Sequence, residues 1–226
     1  FYLGYQNNPE YENETDLHNS HGFRGEEITQ NKSEDIFRIV CIGGSTTYGS
    51  GVDDYKQSYP YLMQRKLNSL GFQVEVINAG VGGYNTLQSY LNYLLKVEDL
   101  EPDMLIVHHA FNDVLTRIVW PATAYKVDQS GKVAVQSSVN DGILRKLSVF
   151  RVPLVFAEVI SPVGSWNEVE PEADTYYGTE FVRQLINEKY PSGIFESVPI
   201  DSMIQTNRPI FFQRNLDKLI RQAKRN

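Results

Sequence analysis

Phe37-Arg38-Ile39-Val40-Cys41-Ile42-Gly43-Gly44-Ser45-Thr46-Thr47 is the stretch on which the fold turns. A short, nearly continuous apolar run ending on a glycine pair is how a strand buried in a parallel sheet reads. Just after it, Tyr59, Leu62, Met63, Leu67 and Leu70 recur at helical spacing. Ser58 is placed to cap that helix, Pro60 falls in its first turn and Gly71 at its stop. The cycle then repeats. Val74-Glu75-Val76-Ile77 predicts a second strand. Leu87, Tyr90, Leu91, Leu94 and Leu95 mark one face of a second helix, and Met104-Leu105-Ile106-Val107 predicts a third strand. Strands alternating with helices predict an α/β fold, a three-layer α/β/α sandwich around a parallel sheet.

Outside this core the pattern changes. Residues 1–35 are polar and rich in Asn, Glu and Tyr, and they read as an arm lying on a domain that spans 36–226. His18 and His21 fall in this arm and are expected at the surface. After Asp113 the alternation stops, so about 114–207 reads as a large, partly helical insertion, with helices expected near Ile143–Val149 and Phe181–Ile186. Phe212, Leu216, Leu219, Ile220 and Ala223 mark a last amphipathic helix, with Lys218, Arg221, Lys224 and Arg225 on its solvated side.

Composition narrows the function. The 226 residues carry a net charge of −7, and a nucleic-acid binder would instead present a basic face. Cys41 is the single cysteine, so no internal disulfide forms, and its apolar surroundings predict a buried thiol. No apolar run approaches the ~20 residues that cross a bilayer. The longest, Val149 to Ile160, is broken by Arg151, Pro153 and Glu158. Asn13-Glu14-Thr15 and Asn31-Lys32-Ser33 fit the glycosylation sequon, which short sequences meet by chance. The chain opens on Phe1, which leaves room for an upstream signal or anchor; the compartment, extracytoplasmic or cytoplasmic, stays open.

Ligands of open α/β sheets bind beyond the carboxyl ends of the strands. Three distinctive clusters fall there: Gly43-Gly44-Ser45-Thr46-Thr47, then Asn78-Ala79-Gly80-Val81-Gly82-Gly83-Tyr84-Asn85, then Ala110-Phe111-Asn112-Asp113. Their chemistry suits acyl transfer. A serine on a tight turn is open for attack, glycine lets a backbone N–H approach the substrate, and an asparagine amide is a neutral, fixed donor. No G-x-G-x-x-G and no lysine-bearing phosphate loop is present, which weakens a nucleotide-binding reading.

Together the three clusters resemble the SGNH/GDSL hydrolases. Gly43 to Gly49, reading GGSTTYG, is similar to the first block of a bacterial GGST-type subgroup, and Asn19 to Gly25 resembles its lead-in. The resemblance implies a cofactor-free and metal-free serine ester hydrolase, or acyltransferase, acting on a small-molecule or carbohydrate-linked ester. Ser45 would be the nucleophile, and Ser45, Gly83 and Asn112 would form the oxyanion hole. Ala110 stands where the family's third block has glycine. Trp120, Trp166, Tyr176 and Tyr177 are candidates to line a substrate pocket, although aromatics in such segments also serve as core. The family's Asp-x-x-His block is absent from these residues. The expectation is that it lies beyond Asn226, where the fold's next strand would follow. His108 and His109, on opposite faces of the third strand, are read as structural or pocket-lining. The alternative function is a catalytically inactive SGNH-like domain that binds a glycan or a protein.

Overall fold

The computed structural model describes Leu3, residues 5–125 and residues 176–225. The first elements are β1 (Phe37–Gly43), α1 (Ser45–Tyr48), α2 (Tyr59–Ser69), β2 (Val74–Asn78), α3 (Thr86–Asn92), β3 (Met104–His108) and α4 (Phe111–Leu115). They are followed by β4 (Val119–Trp120), β5 (Tyr176–Tyr177), α5 (Gly178–Ile186), α6 (Ile194–Ser197), α7 (Ile200–Thr206) and α8 (Ile210–Ala223). The three strands predicted from the apolar runs are all present. The helix expected near Ile143–Val149 lies outside the described residues.

Among the described residues, β2, β1 and β3 form one parallel sheet with β1 at its centre. Cys41 pairs with Asn78 and Gly43 with His108, so the three strands end nearly level on one rim. Successive side chains alternate between the two faces. Val40 and Ile42 enter the main core with Ile77, Tyr93, Val97, Leu100 and Leu219. That face is covered by α3 and α8, which pack on each other. Cys41 points the other way, toward Tyr59 of α2. The result is the expected three layers, and Cys41 is fully buried as its setting predicted.

Two helix faces differ from the sequence pattern. Past Asn92 the second helix widens into a π-helical turn, Tyr93–Val97. A π-turn adds a residue to the repeat and rotates the residues beyond it about the helix axis. Tyr93, Val97 and Leu100 therefore reach the core, while Leu95 is exposed. In α2 the N-terminal segment carries the contact: Pro60 is buried, whereas Leu62 and Leu70 face solvent. Ser58 holds the N-cap position, but its hydroxyl donates to the Tyr55 carbonyl instead of accepting from the helix. In α8, Phe211, Asn215 and Leu219 form the buried stripe, and the four basic residues face outward as expected.

The arm folds back on itself through bridges between Glu12 and Leu17 and between His18 and Arg24. This overturns the surface placement of His18. Its ring is buried, with Nδ1 2.9 Å from the Asn8 carbonyl and Nε2 3.0 Å from the Tyr48 hydroxyl. Phe23 from the same arm enters the main core.

Arg38, which interrupts the apolar run of β1, closes that core at the end of the strand away from the rim. It is 1% exposed. Its guanidinium donates to Glu75 at 2.6 Å and to the carbonyls of Thr29, Gln30 and Leu100. Arg38→Ala strands one carboxylate and three carbonyls at once. We expect a loss of about 3 kcal/mol, read as a fall in the thermal midpoint on the order of 10 °C. An unchanged midpoint in thermal circular dichroism would contradict this role.

Candidate active site

The turn after β1 is built on close approach. Gly44 precedes α1, and a Cβ on it would lie 2.7 Å from Asn112 Nδ2 and 3.1 Å from the Tyr84 carbonyl oxygen. No side chain fits there without displacing Asn112. Ser45 opens α1 with its side chain partly exposed on the rim. The helix bonds begin with Tyr48 N–H to the Gly44 carbonyl and Gly49 N–H to the Ser45 carbonyl. The amide of Ser45 precedes them and receives no partner within this turn.

Beneath Ser45 the turn is held firmly. Thr47 is fully buried, and Gly49 takes a left-handed conformation that ends α1. Arg24 donates to the carbonyls of Tyr48, Gly49 and Val52, and its Nε pairs with Asp16 at 2.7 Å. The same guanidinium lies 4.6 Å from the centre of the Tyr48 ring. Burial, followed by the neighbouring Asp16 carboxylate, pushes the Tyr48 phenol above its ordinary pKa, so it stays protonated at neutral pH. The arm thus holds the turn that follows Ser45 directly, which the sequence pattern did not reveal.

The second cluster follows β2. Val81 N–H donates to the Gly43 carbonyl, and Tyr84 is fully buried. Gly83 has φ +77, a conformation open to glycine at little cost. Asn85 then caps α3: its side chain accepts from Leu87 and Gln88, and Gln88 accepts from Asn85 N–H in return.

The third cluster joins the other two. Asn112 Nδ2 donates to the Tyr84 carbonyl at 2.7 Å while lying against Gly44. An amide nitrogen carries two N–H bonds, so one remains to point at a ligand. The structure therefore brings Asn112 against the two turns that carry Ser45 and Gly83. Asn112 itself touches the neighbours of Ser45 and of Gly83.

Asp113, which had no assigned role, anchors this arrangement. It is 3% exposed and accepts from Thr86 N–H at 3.0 Å and Thr86 Oγ1 at 2.6 Å. His109 Nδ1 lies 3.8 Å away, and its Nε2 lies 2.7 Å from the hydroxyl of Ser89, which is fully buried. This Ser89-His109-Asp113 chain sits beneath the rim and has no open nucleophile. His108 is exposed near Tyr59, so the two histidines do take opposite faces of β3. Burial raises the Cys41 thiol to about 11 and the Tyr59 phenol to about 12, and neither ionises at neutral pH.

The aromatic candidates fare differently. Trp120 packs on a separate apolar cluster of Ile118, Phe195 and Met203, which favours the core reading for it. Its strand partner Tyr176 is partly buried. Trp166 lies outside the described residues. Among the described residues no group of His, Cys, Asp or Glu is arranged to hold a metal, and no helix is long and apolar enough to cross a membrane.

Comparison with known proteins adds three findings. The model of the GDSL-like lipase/acylhydrolase family matches residues 41–192. Among solved structures, the chain is similar to TesA at 22% identity and TM-score 0.33, over 34% of this chain and 43% of that one. It is also similar to AlinE4, an SGNH-hydrolase family esterase, at 18% identity and TM-score 0.34, over 71% of this chain and 100% of that one. No curated protein matches the chain significantly.

Asp113→Ala leaves the buried Thr86 N–H without its acceptor. Stability should fall by about 2–3 kcal/mol, read as an earlier midpoint in urea unfolding. Asp113→Asn, which keeps one acceptor oxygen, should lose less. Equal midpoints for both variants and the parent would overturn this anchoring.

Proposed function

Because the chain belongs to the GDSL-like lipase/acylhydrolase family, we propose that it is a serine ester hydrolase, or an acyltransferase of the same chemistry. The substrate is a small or carbohydrate-linked acyl ester. Ser45 Oγ adds to the ester carbonyl carbon, and the carbonyl π electrons move onto oxygen. The N–H groups of Ser45 and Gly83 and the Asn112 amide donate to that oxyanion. Collapse breaks the C–O bond to the leaving group, which takes up the proton that left Ser45 and departs as the alcohol, and the acyl-serine that remains is resolved by water or an acceptor alcohol. Donors of this kind are worth about 3 kcal/mol each when aimed at the developing charge.

One observation carries the reading. The Asn112 amide stands between Gly44 and the Tyr84 carbonyl, one residue from Ser45 on one side and one from Gly83 on the other. A neutral donor gripped at one N–H and open at the other is what a preorganised oxyanion site requires.

None of the four histidines is bonded to Ser45. His18 is held by Asn8 and Tyr48, and His109 by Ser89 and Asp113. His21 stacks on Phe23, and His108 lies beside Tyr59. The reading therefore takes the Ser45 proton to a base other than these four. A serine without such a base is a weak nucleophile at neutral pH.

A fluorophosphonate probe with mass-spectrometric mapping tests both parts. The 226 residues alone should be labelled slowly and on Ser45, and Ser45→Ala should abolish the label. Rapid stoichiometric labelling would show that a base is already in place. Labelling of a different residue, or ester turnover that survives Ser45→Ala, would overturn the assignment of the nucleophile. Complete inertness would favour a binding module.

A further inference from the structure

The glycine pair that offers the second oxyanion donor is an unusual choice for a preorganised site. Gly82 is exposed, and a Cβ on it would meet nothing within 4 Å. A peptide between two glycines is the least constrained kind, because neither flanking residue restricts its dihedrals. A donor on such a peptide contributes only if something else fixes its plane.

The arm supplies that contact. The Tyr5 hydroxyl donates to the Gly82 carbonyl at 2.8 Å. It sits directly over the next residue, since a Cβ on Gly83 would lie 2.6 Å from it. The Gly82 carbonyl and the Gly83 N–H belong to the same planar trans peptide and point in opposite directions. A hydrogen bond on the carbonyl therefore fixes where the N–H is aimed. It also polarises the amide, which strengthens the N–H as a donor.

Tyr5 is itself anchored, so the grip is not that of a loose side chain. Its carbonyl accepts from the Tyr84 hydroxyl at 2.5 Å, and the two rings meet edge to face with centroids 5.3 Å apart. On either side of it, the Leu3 carbonyl accepts from Gln88, and Asn7 donates to the Gly80 carbonyl. Leu3 is buried against Val81 and Tyr84. Leu3, Tyr5 and Asn7 thus each contact the second cluster or the start of α3.

We propose that Tyr5 is a positioning residue for catalysis, acting through the Gly82–Gly83 peptide to aim the Gly83 N–H at the oxyanion. This rests on the assignment of Ser45 as nucleophile and Gly83 as oxyanion donor. It gives the polar N-terminal arm a part in the chemistry, beyond that of a surface covering. It also predicts a particular energetic signature. Loss of the hydroxyl should weaken binding of a tetrahedral anion far more than binding of a planar neutral group of the same size, because only the former draws on the aimed N–H.

The test compares the parent, Tyr5→Phe and Ser45→Ala for binding n-butylboronic acid, a mimic of the tetrahedral adduct. n-Butyramide serves as the planar neutral control. Binding is followed through the amide resonances of Ser45 and Gly83. Tyr5→Phe keeps the ring that packs on Tyr84, so the arm should stay docked and the thermal midpoint unchanged. We expect the boronate to bind about tenfold more weakly to Tyr5→Phe, with butyramide affinity unaltered. Boronate affinity equal to the parent, or boronate and butyramide weakened alike, would overturn the role of Tyr5 while leaving Ser45 in place. If Ser45→Ala binds the boronate as tightly as the parent, the assignment of Ser45 fails and the role of Tyr5 fails with it.

Discussion

The hydrogen bond from Asn112 Nδ2 to the Tyr84 carbonyl, with the same nitrogen lying against Gly44, joins the ends of three strands. Everything on the rim depends on that junction. It requires a residue without a side chain at position 44, a buried Tyr84 whose carbonyl faces inward, and a third strand that delivers residue 112 at the right height. Parallel pairing meets the last condition, because Gly43 stands opposite His108 and brings the two turns side by side. Position 44 and the register of β3 are thus one constraint seen from two strands.

Support for the junction comes from below and from the side, by different physical means. Below, Thr86 donates two buried hydrogen bonds to the Asp113 carboxylate, and His109 links the same group to Ser89. A carboxylate with this little access to water is costly unless its oxygens are satisfied, so the network tolerates few alternatives. From the side, the arm grips backbone carbonyls: Arg24 takes those of Tyr48, Gly49 and Val52, and Asn7 and Tyr5 take those of Gly80 and Gly82. Glycine-rich turns have few side chains to pack, and carbonyl oxygens are what they offer to a partner. The arm's polar composition fits that task.

The strands and the three rim clusters were legible because their signals are local. An apolar run that stops on Gly43-Gly44, or one that stops on Asn78, marks its own end. The arm was not legible for the opposite reason. Tyr5 meets Gly82, and Arg24 meets Val52, across separations that no short pattern encodes. His18 looked like a surface residue because its neighbours are polar, yet those neighbours bury it by bending the chain back. The second helix misled in another way. Its apolar spacing fits a regular helix through Leu95, but the π-turn at Tyr93–Val97 moved Val97 into the core and Leu95 out of it. Trp120 fits both a pocket and a core by composition, and only its packing against Ile118 and Phe195 separates the two.

The most direct measurement is a crystal structure of the chain after prolonged reaction with an alkyl fluorophosphonate. The account predicts a covalent bond from phosphorus to Ser45 Oγ. The phosphoryl oxygen should lie about 2.7–3.1 Å from the nitrogens of Ser45 and Gly83 and from Asn112 Nδ2. An adduct on another residue, or a phosphoryl oxygen turned to solvent with Asn112 and Gly83 unengaged, would contradict it.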